Sequence, residues 1–215
     1  MGSHGHGVRL PFTDRAEAGR VLAERVAAMG LIDPVVLALP RGGVPVAHEI
    51  ARRLQVPFDV LVTRKIGCPG QPELGVGAIA EGGEPVFDAE LLRRLGLTER
   101  DLESTTRRER TELARRVTAY RGDRARPAVK GRDVVVADDG LATGGTARAA
   151  LAAVRAEGAS RVVLAVPVGA AQTVLELSAD ADDVVVLAAP AAFRAVGQWY
   201  RHFEQLSDTD VLALL

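Results

Sequence analysis

One stretch constrains this chain more than any other: Val134-Val-Val-Ala-Asp138-Asp139-Gly140-Leu141-Ala142-Thr143-Gly144-Gly145-Thr146. The unbroken apolar run at its start is the mark of a strand buried on both faces. That strand ends in two carboxylates, and a small Gly/Thr loop then opens a helix. In an open parallel sheet, ligands bind outside the carboxyl ends of the strands. Backbone N–H groups of Thr143 to Thr146 point outward at a helix N-terminus, where the dipole favours an anion and the glycines let a phosphate approach closely. The hydroxyls of Thr143 and Thr146 add donors. Adjacent carboxylates would repel a lone phosphate, so Asp138 and Asp139 point to a ligand that also carries a vicinal diol. A tight turn at Asp139-Gly140 and a helix cap at Thr143-Gly-Gly explain each piece separately, but not their order.

The rest of the chain supplies the matching architecture. Asp14 and Glu17 read as a reciprocally satisfied helix start, with Ala18, Val21, Leu22, Val26 and Met29 at helical spacing up to Gly30. Val35 to Leu39 is a short buried strand, Pro40-Arg41-Gly42-Gly43 breaks it, and helical period returns from Val46 to Leu54. A strand from Phe58 to Thr63 leads into a Gly/Pro-rich stretch, Gly67 to Gly83, expected as a long functional loop. Asp88 to about Arg121 is helical and charged, with Glu103/Arg107 and Glu112/Arg116 at i,i+4 spacing; a solvated, ion-paired face is expected there. After the acidic pair come a helix over Thr146–Glu157, a strand over Arg161–Val166, a helix over Ala170–Leu177 and a strand over Val184–Leu187. Strands alternating with helices imply an α/β fold with a mainly parallel sheet.

Composition narrows the function. The single Cys68 excludes a disulfide framework and any CxxC metal or redox motif. No apolar run reaches the roughly 20 residues that span a bilayer, and no charged-then-apolar leader opens the chain, so a cytoplasmic protein without a membrane role is expected. A net charge of −1 supplies no global attraction to nucleic acid. Lys65 and Lys130 are the only lysines among 27 basic residues, so a lysine is informative where an arginine is not. Residues 1–7, MGSHGHG with His4 and His6, read as a tag remnant or a disordered start.

Two nucleotide motifs are set aside. GxxxxGK[ST] is absent, and Gly75-Val-Gly77-Ala-Ile-Ala80, although it fits GxGxxG/A, neither follows a strand nor opens a helix.

The run VVVADDGLATGGT resembles the phosphoribosyl-pyrophosphate (PRPP) binding motif of the type I phosphoribosyltransferases, and the similarity extends over about Val35 to Leu187. The resemblance implies that fold: a central, mainly parallel sheet flanked by helices, with a small hood. It implies that Asp138 and Asp139 hold the ribose hydroxyls and that Ala142, Thr143, Gly144, Gly145 and Thr146 hold the 5-phosphate. Leu39-Pro40-Arg41-Gly42-Gly43 matches the family's pyrophosphate loop, where exposed amides of Gly42 and Gly43 and a bidentate Arg41 suit phosphate oxygens. That loop often carries a cis non-proline peptide in the family, so unusual backbone geometry is expected between Pro40 and Gly43. Arg64-Lys65 resembles the Arg-Lys pair that leads into the mobile loop of adenine and orotate transferases. With Asp138 and Asp139 these two residues are the expected catalytic set, and Arg41, Arg64 and Lys65 are expected to stabilise charge on departing pyrophosphate.

By the same resemblance a magnesium ion (Mg2+) is expected, held mainly by substrate oxygens with Asp138 and Asp139 acting through ribose hydroxyls or water. The expected reaction is transfer of phosphoribosyl from PRPP to a nitrogenous base or other nitrogen acceptor, in a homodimer serving nucleotide metabolism. The alternative is a PRPP-sensing or RNA-binding regulator on the same fold. Four of the eight aromatics, Phe193, Trp199, Tyr200 and Phe203, lie in the tail. Pro190-Ala-Ala-Phe193 resembles the Pro-x-x-Phe of hypoxanthine-type transferases, so Phe193, Trp199 and Tyr200 are candidates for stacking an acceptor, with ordinary core or a dimer interface as the other reading. A 6-oxopurine is disfavoured, because Val166-Pro167-Val168-Gly169 lacks that branch's lysine and Gln198-Trp199 stand near where it has an aspartate. The expected division is a core over 8–189 and a C-terminal hood over 190–215.

Overall fold

Short apolar runs without alternation become strands covered on both faces, and five of them form one parallel sheet. The computed structural model describes residues 8–215; residues 1–7, with His4 and His6, lie outside the described residues. In chain order the elements are α1 (Arg15–Ala27), β1 (Val35–Ala38), α2 (Gly43–Leu54), β2 (Phe58–Val60), β3 (Thr63–Cys68), β4 (Gln71–Ala80), β5 (Val86–Phe87), α3 (Ala89–Leu95), α4 (Glu103–Arg121), β6 (Asp133–Ala137), α5 (Gly145–Ala156), β7 (Arg161–Val168), α6 (Ala171–Leu177), β8 (Asp183–Ala188) and α7 (Asp208–Leu212).

The parallel sheet has the order β2-β1-β6-β7-β8. Alternate strand residues feed two cores: Val36, Ala38, Val135 and Ala137 pack toward α1 and α2, while Leu37, Leu39, Val134 and Val136 pack toward α5. From β1 the chain runs outward to β2, and from β6 it runs the other way to β7 and β8, so the winding reverses between β1 and β6. The register Val35↔Val134 through Ala38↔Ala137 brings both strands to an end at one level. Leu39 N–H donates to the Ala137 carbonyl at 2.9 Å, so Pro40 and Asp138 leave the sheet side by side.

Three expectations change. The strand from Phe58 to Thr63 breaks after Val60, and the chain leaves the parallel sheet for a separate antiparallel one, β3-β4-β5. The stretch from Gly67 to Gly83 is therefore mostly strand, not loop. Its small residues serve close packing: Ala78 and Ala80 meet Ala149 and Ala153 of α5, and a Cβ on Gly77 would stand 2.6 Å from the Phe87 ring. The helix over Asp88–Arg121 is broken, because Gly96 adopts φ 66° as the cap of α3 and a 3-10 turn over Glu99–Leu102 precedes α4. Glu112 pairs with both Arg115 and Arg116, whereas among the described residues no ion pair joins Glu103 to Arg107. Arg108, Arg110 and Arg121 of α4 also pair with carboxylates, so the helix presents a largely neutralised face.

The division at 189/190 is crossed by both ends of the chain. Phe12 N–H donates to the Trp199 carbonyl at 2.8 Å, and Arg201 N–H returns to the Phe12 carbonyl at 2.8 Å. Phe12, Ala18, Val168 and Tyr200 form a small core of their own, while Val211 of α7 joins the main core beside Leu113 and Tyr120. Residues 8–13 thus pack with the first part of the tail, and its last part packs on the main core.

Candidate functional site

The ends of β1 and β6 create the site. A Cβ on Gly42 would stand 2.0 Å from Asp139 Oδ2, and one on Gly43 would stand 2.5 Å from the Ala137 carbonyl. Only glycine lets the turn after β1 press against the acidic pair. The Pro40–Arg41 peptide in that turn is cis, the unusual geometry expected between Pro40 and Gly43. The Arg41 guanidinium lies 3.8 Å from Asp208 of α7. Asp208 also accepts from the Tyr120 hydroxyl at 2.6 Å, and burial together with this carboxylate pushes Tyr120 up to about 12.

Each carboxylate of the pair has one oxygen occupied. Asp138 Oδ1 accepts from Asp139 N–H at 2.8 Å, and Asp139 Oδ2 accepts from Arg15 Nε at 2.7 Å. Among the described residues the other two oxygens, Asp138 Oδ2 and Asp139 Oδ1, accept no protein hydrogen bond. Burial, reinforced by the charge of Asp139, holds the Asp138 carboxyl well above the usual aspartate range. Burial also raises Asp139, against the pull of Arg15. The Tyr200 hydroxyl donates to the Asp139 carbonyl at 2.6 Å, and burial raises its pKa as well.

Downstream, Leu141 bridges to Gly169 and Thr173 Oγ1 donates to the Ala142 carbonyl at 2.7 Å, anchoring the loop from below. Gly144 takes φ 72° directly above Thr173 and Leu177, and α5 starts at Gly145 with no side-chain cap. Its first N–H groups are therefore open to a ligand. Thr143, Gly145 and Thr146 line a cavity of about 140 Å3 together with Lys65, Gly75, Phe87 and Asp88. Lys65 reaches it from β3, its Nζ donating to the Glu73 carbonyl at 3.1 Å.

Of the expected residues, the structure brings Asp138, Asp139, Gly42 and Gly43 into contact, and Lys65 to the 142–146 loop. Arg64 does not line that cavity: neighbouring strand residues point to opposite faces, and its guanidinium binds Glu109 of α4 at 2.7 Å. Tyr200 is not an open stacking surface either. It is buried between Phe12 and Phe203, with ring centroids at 5.8 and 5.0 Å. Phe193 and Trp199 stack at 6.3 Å and are half-buried.

Arg15 belongs to no local motif. In an arginine-saturated chain it does not stand out, and its partner is 124 residues away. One signal was present: a cation in the first turn of a helix opposes the dipole, so its place there calls for another partner.

Among the described residues, no group of three or more His, Cys, Asp or Glu could hold a metal ion, and no helix is long and apolar enough to cross a membrane. The hard oxygens of Asp138 and Asp139 suit a magnesium ion whose remaining ligands would have to come from a bound molecule and water.

The chain matches the phosphoribosyl transferase domain family over residues 15–197. It is 50% identical over 204 residues to proteins from two Mycobacterium tuberculosis strains, named "Putative phosphoribosyl transferase MT0597" and "Putative phosphoribosyl transferase Rv0571c". The match covers 95% of this chain and 46% of theirs, so the chain spans about half the length of these curated relatives. The crystal structure of TT1426 from Thermus thermophilus is 47% identical and superposes with a TM-score of 0.80, covering 95% of this chain and 97% of that one. At 13% identity and a TM-score of 0.50, the AQ2163 protein from Aquifex aeolicus shares the fold alone, over 80% of this chain and 73% of that one.

Proposed function

The chain belongs to the phosphoribosyl transferase domain family, and on that premise we propose that it transfers the phosphoribosyl group of PRPP to a nitrogen acceptor and releases pyrophosphate. The observation that carries this reading is the contact between Gly42-Gly43 and Asp138-Asp139 at the sheet's switch point, with the uncapped start of α5 next to it. A diol acceptor, a pyrophosphate turn and a phosphate cup in that arrangement match the parts of one ligand.

Asp138 Oδ2 and Asp139 Oδ1 accept the two ribose hydroxyls. Thr143 to Thr146 hold the 5-phosphate through backbone N–H groups and hydroxyls, and Lys65 adds a charge at the rim of that cavity. Gly42 and Gly43 offer amides to pyrophosphate, and Arg41 turns to it from its long contact with Asp208. The bond from the ribosyl carbon to pyrophosphate breaks as the bond to the acceptor nitrogen forms, and the protein's part is to fix the ribose, exclude water and stabilise charge on the leaving group. Asp138 and Asp139 would hold a magnesium ion through water or the ribose hydroxyls, and the ion would supply neutralisation of pyrophosphate charge. Phe193, backed by Trp199, is the face for a planar acceptor.

The test is pyrophosphate release with magnesium and PRPP against a panel of purines, pyrimidines and smaller amines. Release with at least one acceptor is expected. Tight PRPP binding with no release across the panel would overturn catalysis in favour of a PRPP-sensing regulator.

A further inference from the structure

Arg15 meets the acidic pair from outside every motif. Its Nε donates to Asp139 at 2.7 Å, its Nη1 donates to the Glu204 carbonyl at 3.0 Å, and its guanidinium lies 3.8 Å from the centroid of the Phe203 ring. The ion pair is almost closed to solvent, with Arg15 and Asp139 side chains 10% and 13% exposed. The Asp139 carboxylate also touches Gly42 through the same Oδ2 that Arg15 holds, and even a methyl group has no room there. Its main chain is held by Tyr200. Arginine and glycine thus restrain the carboxylate, and tyrosine the main chain that carries it.

We propose that Arg15 is a positioning residue for diol recognition, holding Asp139 so that the acidic pair presents one free oxygen from each carboxylate to two neighbouring ribose hydroxyls. An ion pair in this position is a poor source of stability, since a buried pair recovers little beyond its desolvation cost. Arg15 also stands at the first position of α1, where the helix dipole opposes a cation. Both costs are sustained by a partner that lies in the site. Arg15 does not touch the ligand; it acts through Asp139, and through Phe203 and Glu204 it ties the set of that carboxylate to the hood.

This inference rests on the PRPP reading above, and the experiment separates the two. PRPP binding with magnesium is measured by calorimetry for the wild type, Arg15→Gln, Arg15→Lys, Asp139→Asn and the Arg15→Gln/Asp139→Asn double variant. Arg15→Gln should weaken binding roughly 10- to 100-fold, the range for losing a charge-assisted hydrogen bond. Arg15→Lys should recover part of the loss, because it keeps the charge without the planar fork. The double variant should bind no worse than Asp139→Asn alone, as expected when one residue works through the other. Should Arg15→Gln fail to fold, Phe203→Leu removes the ring under the guanidinium; it should weaken binding in the wild type and not in Asp139→Asn. Arg15→Gln binding within about twofold of wild type, or losses that add in the double variant, would overturn the proposal. A wild type that binds no PRPP overturns the functional reading, and the role of Arg15 with it.

Discussion

The floor of the site and its rim are held in different ways. The floor is strand ends and glycine backbone: parallel pairing of β1 with β6 sets its level, and Gly42 and Gly43 set its spacing. The rim is side chains reaching from the two ends of the chain: Arg15 and Tyr200 converge on Asp139, and Phe203 lies against the Arg15 guanidinium. A floor fixed by backbone has no rotamers to lose, so its geometry is set before a ligand arrives. A rim fixed by side chains can be altered one hydrogen bond at a time. Substitutions in the floor should therefore cost more, and those in the rim should act by degrees.

The largest expected effect is on the acidic pair, where floor and rim meet. Asp138→Asn combined with Asp139→Asn should cost at least about 100-fold in PRPP affinity by calorimetry, with an unchanged far-ultraviolet circular dichroism spectrum. Retained affinity would remove the acidic pair from the site. Next comes Gly43→Ala, whose new methyl meets the Ala137 carbonyl, an atom that cannot step aside. Overpacking of this kind costs about 1–3 kcal/mol, and each kcal/mol lowers Tm by about 2–4 °C in a chain of this size. An unchanged Tm would mean that β1 and β6 are not locked at that level.

A pH titration divides the floor from the rim within the acidic pair itself. Because burial raises Asp138, its carboxyl does not oppose folding below the ordinary value of 3.8 and destabilises the fold as pH rises through its higher folded value. Asp138→Asn should thus raise Tm at pH 8 and give no gain near pH 4. Asp139→Asn should raise Tm less at pH 8, because Arg15 opposes the burial that raises Asp139 and would be left without its counter-charge. Equal shifts from the two variants across that range would contradict the asymmetry. The smallest effect belongs to Tyr200→Phe, which removes the 2.6 Å bond to the Asp139 carbonyl. A loss of about 1 kcal/mol, roughly fivefold in PRPP affinity, is expected; full loss of binding would show that the rim is not graded after all.

The same contrast explains what could be read from the residues alone. The floor is written in two short contiguous runs, Leu39 to Gly43 and Val134 to Thr146, and each run is its own structural unit. The rim depends on partners 61, 124 and 189 residues apart, linking Tyr200 and Arg15 to Asp139 and Arg15 to Glu204. No local pattern carries such distances. The strand β4 was hidden for another reason: Gly75 and Gly77 usually mark loops, and here they mark places where Lys65 and Phe87 lie directly on the backbone. Arg64 and Lys65 were legible as a pair, but their separation onto two faces had to wait for the knowledge that they lie on a strand.

The alanine contact between β4 and α5 carries one more consequence. Ala78, Ala80, Ala149 and Ala153 meet without interlocking side chains. Such a surface works as a plain bearing rather than a gear, because sliding across it lifts no knob out of a hole. The hairpin that carries Lys65 rests on that bearing by one face only, while Ile66, Val76 and Ile79 on its other face join the main core and Arg64 pairs with Glu109, so its position beside the 142–146 loop is set from outside that surface.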